Sequence, residues 1–540
     1  MIAMKQWRRG FITLLIVTGA ALGAARLLAQ PAPRGAASQL VPMGTTKGMQ
    51  YSRLVIRNGM MVSGRGTPAE GPVDIVVERD RIVDIIPVDD VSLGSYGRSF
   101  KRAEGDRVID ATGMYVLPGL VDLHGHVPSN NERAGDRGLE YGYRLWLGHG
   151  VTTLREPGTG GGLKLMTEQR RLSEQNQIVA PRLVLYKRWP GVARGGDAGH
   201  TPDEARALVR RYKEEGADGI KVSKGPGHYP DVLAAICDEV KTLSMNGVAV
   251  DLKVSETDAV VASNAGVTSI EHWYGIPDAA IPGTQHFPPD YNYWNELDRF
   301  RYAGKLWAEA DRYPGRLGEV LDLMIKNGTI WDPTMVVYET NRDFSRAVTL
   351  PWRARYTHPV LLEYWEPNPA HHASYHAEWK TSDDLNWKEN FQIWMKWLHE
   401  FWKRGGKVTL GSDAGSLQAL YGYSTIRELE LLQEAGFHPI DVIKIATTNS
   451  QAALGIEGLA GLRIGNIADI IVVDGNPLDN FKVMYGLGYD RFTADGKKEH
   501  RGGVRWTIKA GVVFDAPALL KEVEWYVEQA RGRTTSLNGR

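Results

Sequence analysis

Only one cysteine, Cys237, occurs in 540 residues. That excludes an intrachain disulfide and every cysteine-rich zinc site, so any metal must be held by histidine, carboxylate or modified lysine. Cys237 itself closes the apolar helical run Leu233-Ala-Ala-Ile-Cys237 and is expected as buried packing. The chain also lacks an excess of either charge, with 64 Lys+Arg against 64 Asp+Glu. No global field therefore draws it to nucleic acid or to an anionic membrane, and neither is an expected partner. Past residue 50 no apolar stretch reaches the roughly 20 residues that cross a bilayer, so no stable span is expected in the mature chain.

What is present begins with export. Lys5, Arg8 and Arg9 precede an apolar run from Phe11 to about Ala25, and small residues then lead to Leu28-Ala29-Gln30-Pro31. This layout predicts a signal peptide over 1–30, cleaved after Ala29. Arg8-Arg9-Gly10-Phe11-Ile12 resembles a twin-arginine signal, so the expected location is the periplasm. Residues 31–50, rich in Pro, Gly, Ala and Ser, read as a linker.

From Tyr51 short β runs alternate with turns, as in Leu54-Val-Ile-Arg57 and Asp74-Ile-Val-Val-Glu78, up to about residue 117. Over 118–455 strands and helices alternate. Thr201-Pro-Asp-Glu204, for example, opens a capped helix that delivers the strand Gly219-Ile-Lys-Val222. Strand patterns return over 456–515, and 516–540 reads as an amphipathic helix and tail. The expected fold is α/β: a (β/α)8 TIM-like barrel at 118–455, with a small β-sandwich domain built from the N- and C-terminal segments 51–117 and 456–515.

The candidate chemistry lies at the ends of barrel strands. His124-Gly125-His126 follows the apolar strand ending at Asp122, and the two-residue period turns both imidazoles to one side. At the C-terminal end of a barrel strand that side faces the mouth, where two histidines suit a divalent transition metal. Lys221 lies between Ile220 and Val222, whose side chains face the helices, so its own faces the barrel interior. An unpaired ammonium there is costly. Two solutions stay open: carbamylation by CO2 to an anionic metal ligand, or a salt bridge to a carboxylate at the mouth. His272 ends Thr268-Ser-Ile-Glu-His272 and Asp413 ends Lys407-Val-Thr-Leu-Gly-Ser-Asp413. An aspartate there can bind metal and move a proton.

Taken with Leu117-Pro-Gly-Leu-Val-Asp-Leu-His-Gly-His126, Gly216-Ala-Asp-Gly-Ile-Lys-Val222, Ala265-Gly-Val-Thr-Ser-Ile-Glu-His272 and Gly411-Ser-Asp-Ala-Gly415, the chain resembles the amidohydrolase superfamily over about 51–515, particularly its imidazolonepropionase- and Xaa-Pro-dipeptidase-like branch. The resemblance implies metal ligands at His124, His126, Lys221, His272 and Asp413. It implies a divalent metal, zinc foremost, at one or two per chain, with Lys221 carboxylated. It also implies hydrolysis of an amide-type C–N bond, non-peptide or dipeptide-like, by metal-activated water with Asp413 as catalytic base. One position departs. The family's metal-binding histidine at the end of strand five is missing from Val248-Ala-Val-Asp-Leu-Lys-Val-Ser-Glu256, where Leu252 or Lys253 takes the expected place. Lys253 or Glu256 is the expected substitute. The alternative to an enzyme is a degenerate, non-catalytic barrel that binds a ligand.

Between His272 and Asp413 lies an aromatic-rich insertion, 273–407, with eleven of the sixteen Trp. Its helix around Trp387–Trp402 is expected as core. Phe287-Pro-Pro-Asp-Tyr-Asn-Tyr-Trp294 is expected as a loop over the mouth, and Trp273, Tyr274, Tyr338 and Lys253 as contacts to a small substrate, aromatic or peptide-like. His371, His372 and His376 read as a surface cluster, and a homo-oligomer is compatible with the sequence.

Overall fold

The computed structural model describes residues 41–88, 102–129, 134–190, 199–223, 225–252, 257–283, 295–366, 368 and 375–537. The expected signal peptide, most of the linker, Lys253, Glu256, the loop 287–294, His371 and His372 lie outside these residues.

Strands from both ends of the chain join one hydrogen-bonded sheet of nine strands. The N-terminal contribution is β1 (Met49–Gln50), β2 (Arg53–Met61), β3 (Glu70–Glu78), β4 (Arg81–Pro87), β5 (Arg107–Asp110) and β6 (Tyr115–Pro118). Alternating apolar residues of these strands, among them Leu54, Ile56, Val73, Ile75 and Val116, bury a core of their own. The apolar run that ends at Asp122 is divided between two strands. β6 belongs to the terminal sheet, and β7 (Leu120–Asp122) starts the barrel. Gly119 makes the break: its N–H donates to Asp469 O at 2.9 Å, and a Cβ there would collide with the Thr152 side chain.

β7 is followed by β8 (Val151–Glu156), β9 (Arg182–Arg188), β10 (Gly219–Val222), β11 (Val248–Val250), β12 (Ser269–Glu271) and β13 (Ile330–Asp332), paired in chain order as a seven-stranded sheet whose ladders run parallel. Residues 407–413 close the ring. Trp331 N donates to Lys407 O and Thr409 N to Trp331 O on one side; Leu123 N donates to Leu410 O and Asp413 N to His124 O on the other. Buried Asp122 fastens this seam by accepting from Ser412 N (3.0 Å), Ser412 Oγ (2.5 Å) and Thr425 Oγ1 (2.9 Å). The result is a TIM-like barrel.

The helix at Pro202–Glu214 has the expected capping box from Thr201 and Glu204, and the helix at Pro230–Thr242 buries Cys237. In the insertion, the helix at Thr381–Lys403 buries Trp387, Trp394 and Trp397, as expected of core. The chain then returns through β14 (Ile470–Val473), β15 (Tyr489–Phe492), β16 (Lys498–Arg501), β17 (Val504–Lys509) and β18 (Val512–Asp515). β14 pairs with β6 and so joins the two chain ends, while β15 and β16 form a separate hairpin. The last helix, Ala516–Leu537, is tied to the helix at Gly138–Gly148 by Glu522 and Arg144 at 2.7 Å. Among the described residues no helix is long and apolar enough to cross a membrane.

Candidate active site

At the C-terminal mouth of the barrel lies a cavity of about 520 Å³ whose walls include His124, His126, Lys221, His272 and Asp413. Five residues drawn from four points of the sequence thus meet in one place. His126 Nε2 is 3.1 Å and His124 Nε2 3.6 Å from Asp413 Oδ1, while His272 Nε2 is 3.7 Å from Asp413 Oδ2. Lys221 Nζ is 3.5 Å from His124 Nε2.

The back of each imidazole is held. His124 Nδ1 lies 2.6 Å from Glu271 Oε2, His126 Nδ1 3.6 Å from Glu156 Oε1, and His272 Nδ1 pairs with Thr334 Oγ1 at 2.5 Å. With an oxygen behind each Nδ1, the Nε2 atoms are the ones turned toward Asp413, the arrangement typical of metal-binding histidines. Gly125 is required between the first two rings for a reason besides room. A Cβ there would meet Trp146 and Leu154 in the barrel wall.

Two site residues owe their direction to backbone outside the strand region. His272 has φ 63° and Asp413 φ 48°. Non-glycine residues held at such angles cost energy and cluster at functional sites. At His272 the left-handed turn breaks the alternation of β12, so that consecutive Glu271 and His272 both point inward.

Beneath the histidines runs a buried ionic layer that sequence reasoning missed. Arg155 of β8 reaches Glu271 with Nη2 2.9 and 2.8 Å from its two oxygens, and the same nitrogen is 3.0 Å from Asp332 of β13. Burial raises the Glu271 carboxyl, but Arg155, Lys221 and His124 together hold it well below the usual range. Burial and the Glu271 charge push Asp332 well up instead. Lys221, 3.7 Å from Glu271, is lowered by burial. Burial and the Lys221 charge push His124 down to about 3, leaving it the neutral imidazole that binds metal. Asp413 is raised by burial but held below its usual value by His124, His126 and His272, and remains an anion.

Of the predicted substrate contacts, Tyr274 and Tyr338 line the cavity, and Lys253 lies outside the described residues. Trp273 does not line the cavity. It is fully buried, stacked on Tyr274 at 4.3 Å and packed edge-on to Tyr338 at 6.4 Å, so it backs the wall instead of forming it. Among the lining residues that escaped the sequence reading are Asp251 after the end of β11, Arg188 at the end of β9, and Arg299. Asp251 stands at the strand-five end, and its Oδ2 is 4.0 Å from His272 Nε2. The only available signal was its place directly after Val248-Ala-Val250.

Residues 396–505 match the model of the amidohydrolase family. Among curated proteins, the imidazolonepropionase of Symbiobacterium thermophilum is 32% identical over 136 residues, 23% of this chain and 29% of that protein. The chain therefore matches under a third of that relative's length. Among solved structures, a Xaa-Pro dipeptidase with bound methionine superposes with a TM-score of 0.59 at 20% identity, covering 86% of this chain and all of that one. The bottromycin amidohydrolase gives 0.61 at 17% identity, covering 88% and 90%. The family match and this curated relative point to the amidohydrolase superfamily. At these identities the structural likeness is one of fold, so the activity of this chain has to be argued from its own site.

Proposed function

We propose that the chain is a divalent-metal-dependent hydrolase of amide-type C–N bonds in a small, acidic, peptide-like molecule. The observation that carries this reading is the convergence of three imidazole Nε2 atoms and a lysine on Asp413, each ring braced from behind. Imidazole nitrogens and an ionised carboxylate are the donor chemistry that zinc and its neighbours prefer, so the residues fit the ion. His124, His126, Lys221 and Asp413 would hold it, and it would supply Lewis acidity toward water and the scissile carbonyl. For Lys221 the reading is the carboxylated form. The amine nitrogen bonds to the carbon of CO2 and one proton is released, which a lowered amine pKa favours.

The remaining steps belong to side chains. Asp413, partly exposed to the cavity, accepts the proton of the attacking water and returns it to the leaving nitrogen. Tyr274 and Phe300 give the cavity an apolar wall suited to a bulky or aromatic substituent. Arg188 is an exposed guanidinium on the same wall with no ion-pair partner among the described residues, and it is the group to hold a substrate carboxylate. We read the terminal sheet, wrapped on its own core, as the small β-sandwich, and the chain as an exported, periplasmic protein. Nothing in the donor set favours a decayed, purely ligand-binding barrel.

A panel of N-acyl amino acids and dipeptides, each as free acid and as C-terminal amide, tests this reading by release of free amine. The zinc- or manganese-loaded protein is expected to cleave acids in preference to their amides. Arg188→Met is expected to raise KM for the acids about tenfold or more, roughly the loss of one charge-assisted pair, with kcat changed much less. No amine release from any member by the loaded protein would sink the proposal, and an unchanged KM would remove Arg188 from substrate binding.

A further inference from the structure

Behind the cavity wall, a buried carboxyl group is tied to the site through the end of a helix. The helix at Met335–Arg342 follows β13 and begins at Thr334, the residue placed to cap it. A threonine in that position ordinarily turns its hydroxyl back to accept from an N–H of the first turn. Thr334 does otherwise. It makes no side-chain cap, its backbone is left-handed at φ 48°, and its Oγ1 lies 2.5 Å from His272 Nδ1. Two of the open N–H groups go instead to Glu428 of the helix at Tyr423–Glu434: Met335 N donates to Oε1 at 2.9 Å and Val336 N to Oε2 at 2.7 Å. We infer that Glu428 is a positioning residue for His272: by capping the helix in place of Thr334, it leaves the Thr334 hydroxyl to hold the third imidazole of the site. The inference rests on the hydrolase reading above, in which three imidazoles converge on Asp413.

Two strained residues meet at this contact. His272 has φ 63° and Thr334 φ 48°, so neither keeps its orientation by local backbone preference. With its N-cap hydroxyl turned away, the helix at Met335–Arg342 would begin with open N–H groups in a buried place, which is costly. Glu428, itself fully buried, satisfies two of them. Burial pushes its carboxyl up to about 8, although both N–H groups hold it down. A carboxyl group there is therefore costly as well, and packing alone would be served by an apolar side chain of the same size. Without Glu428, capping falls to Thr334, which in an extended backbone turns to its own first turn and away from His272. The same helix carries Val337 and Tyr338 into the cavity wall, with the Tyr338 ring 5.4 Å from that of His272. In the competing arrangement Glu428 stabilises the helix end only, and the contact between Thr334 and His272 persists in its absence.

Histidine NMR separates the two arrangements without turnover. The full-length mature protein is prepared metal-free with isotope-labelled histidine, and His272→Asn identifies the ring-nitrogen signals of His272. Thr334→Val, which keeps the side-chain shape and removes the hydroxyl, defines the signals of an unbraced ring. Glu428→Gln sets an amide NH2 against one of the two N–H groups. It is expected to move the His272 signals toward those of Thr334→Val and to leave those of His124 and His126 in place. In the metal-loaded protein each single substitution is expected to lower kcat roughly 10–100-fold, and the double variant no further than Thr334→Val alone. Should Glu428→Gln fail to fold, Glu428→Asp, with its carboxyl group drawn back by one methylene, decides on the same readouts. Unmoved His272 signals in the folded Glu428 variant, or losses that multiply in the double variant, overturn the positioning role and leave the hydrolase reading standing. Signals that move as expected in a protein that releases no amine sustain Glu428 as the group that holds His272 in place and overturn the hydrolase reading alone.

Discussion

Replacing Asp413 by asparagine is expected to lower kcat on the order of 10³–10⁴-fold, with the folded state retained. Among the described residues, Asp413 is the single carboxylate within 4 Å of all three imidazoles, at 3.1, 3.6 and 3.7 Å. The amide cannot take up the proton of the attacking water, nor return one to the leaving nitrogen. The fold should survive because the seam at residue 413 is held by backbone, with Asp413 N donating to His124 O at 2.6 Å, and by Asp122 beneath it. Steady-state kinetics beside a thermal unfolding curve read both quantities. A variant within tenfold of wild-type kcat would remove Asp413 from proton transfer. A variant that no longer folds would contradict the assignment of the seam to backbone.

Glu271→Ala is expected to have the largest effect on stability, about 3–5 kcal/mol, as for other buried pairs that lose one partner. Glu271 is fully buried and accepts from Arg155 Nη2 at 2.9 and 2.8 Å and from Ser269 Oγ at 2.5 Å. Its removal leaves the buried Arg155 guanidinium with only Asp332 to balance it. The same carboxylate lies 2.6 Å from His124 Nδ1, so the ring loses the group that orients it. Metal affinity should therefore fall as well, by roughly 10–100-fold. Denaturant unfolding of the apo protein isolates the first effect, and metal titration of the folded variant reads the second. A loss of less than about 1 kcal/mol in unfolding free energy would mean that Arg155 finds another partner.

How much of this was legible in the sequence depends on where strand periodicity holds. His124, His126 and Lys221 could be placed because alternation alone turns them inward, and the cavity contains all three. Glu271 escaped because alternation assigns it to the face opposite His272. The left-handed φ of 63° at His272 cancels that rule at one residue, and no pattern in the sequence encodes it. Asp251 escaped for a different reason. β11 pairs Ala249 with Lys221, so the next inward position is Asp251, but the single-residue polar break in Val248-Ala-Val-Asp-Leu252 gives no sign of the register. Gly119 lies inside the apolar run that ends at Asp122 yet separates two sheets, a role set by the proximity of Thr152 from a distant segment. Trp273 shows the converse limit. Its position after His272 is right for a cavity wall, but the wall is taken by Tyr274 and Tyr338, and Trp273 is buried behind them among Trp307, Trp387 and Trp394. Adjacency in sequence did not reveal which ring faces out.

The central claim is that His124 and His126 serve a divalent ion, and metal content tests it most directly. The mature protein, purified without chelators and with bicarbonate present, is compared by elemental analysis with the double variant His124→Ala, His126→Ala. At least one zinc, manganese or related ion per chain in the wild type, lost from the folded double variant, is the predicted result. An equal metal content in both proteins, or none in the wild type even after reloading, would contradict it.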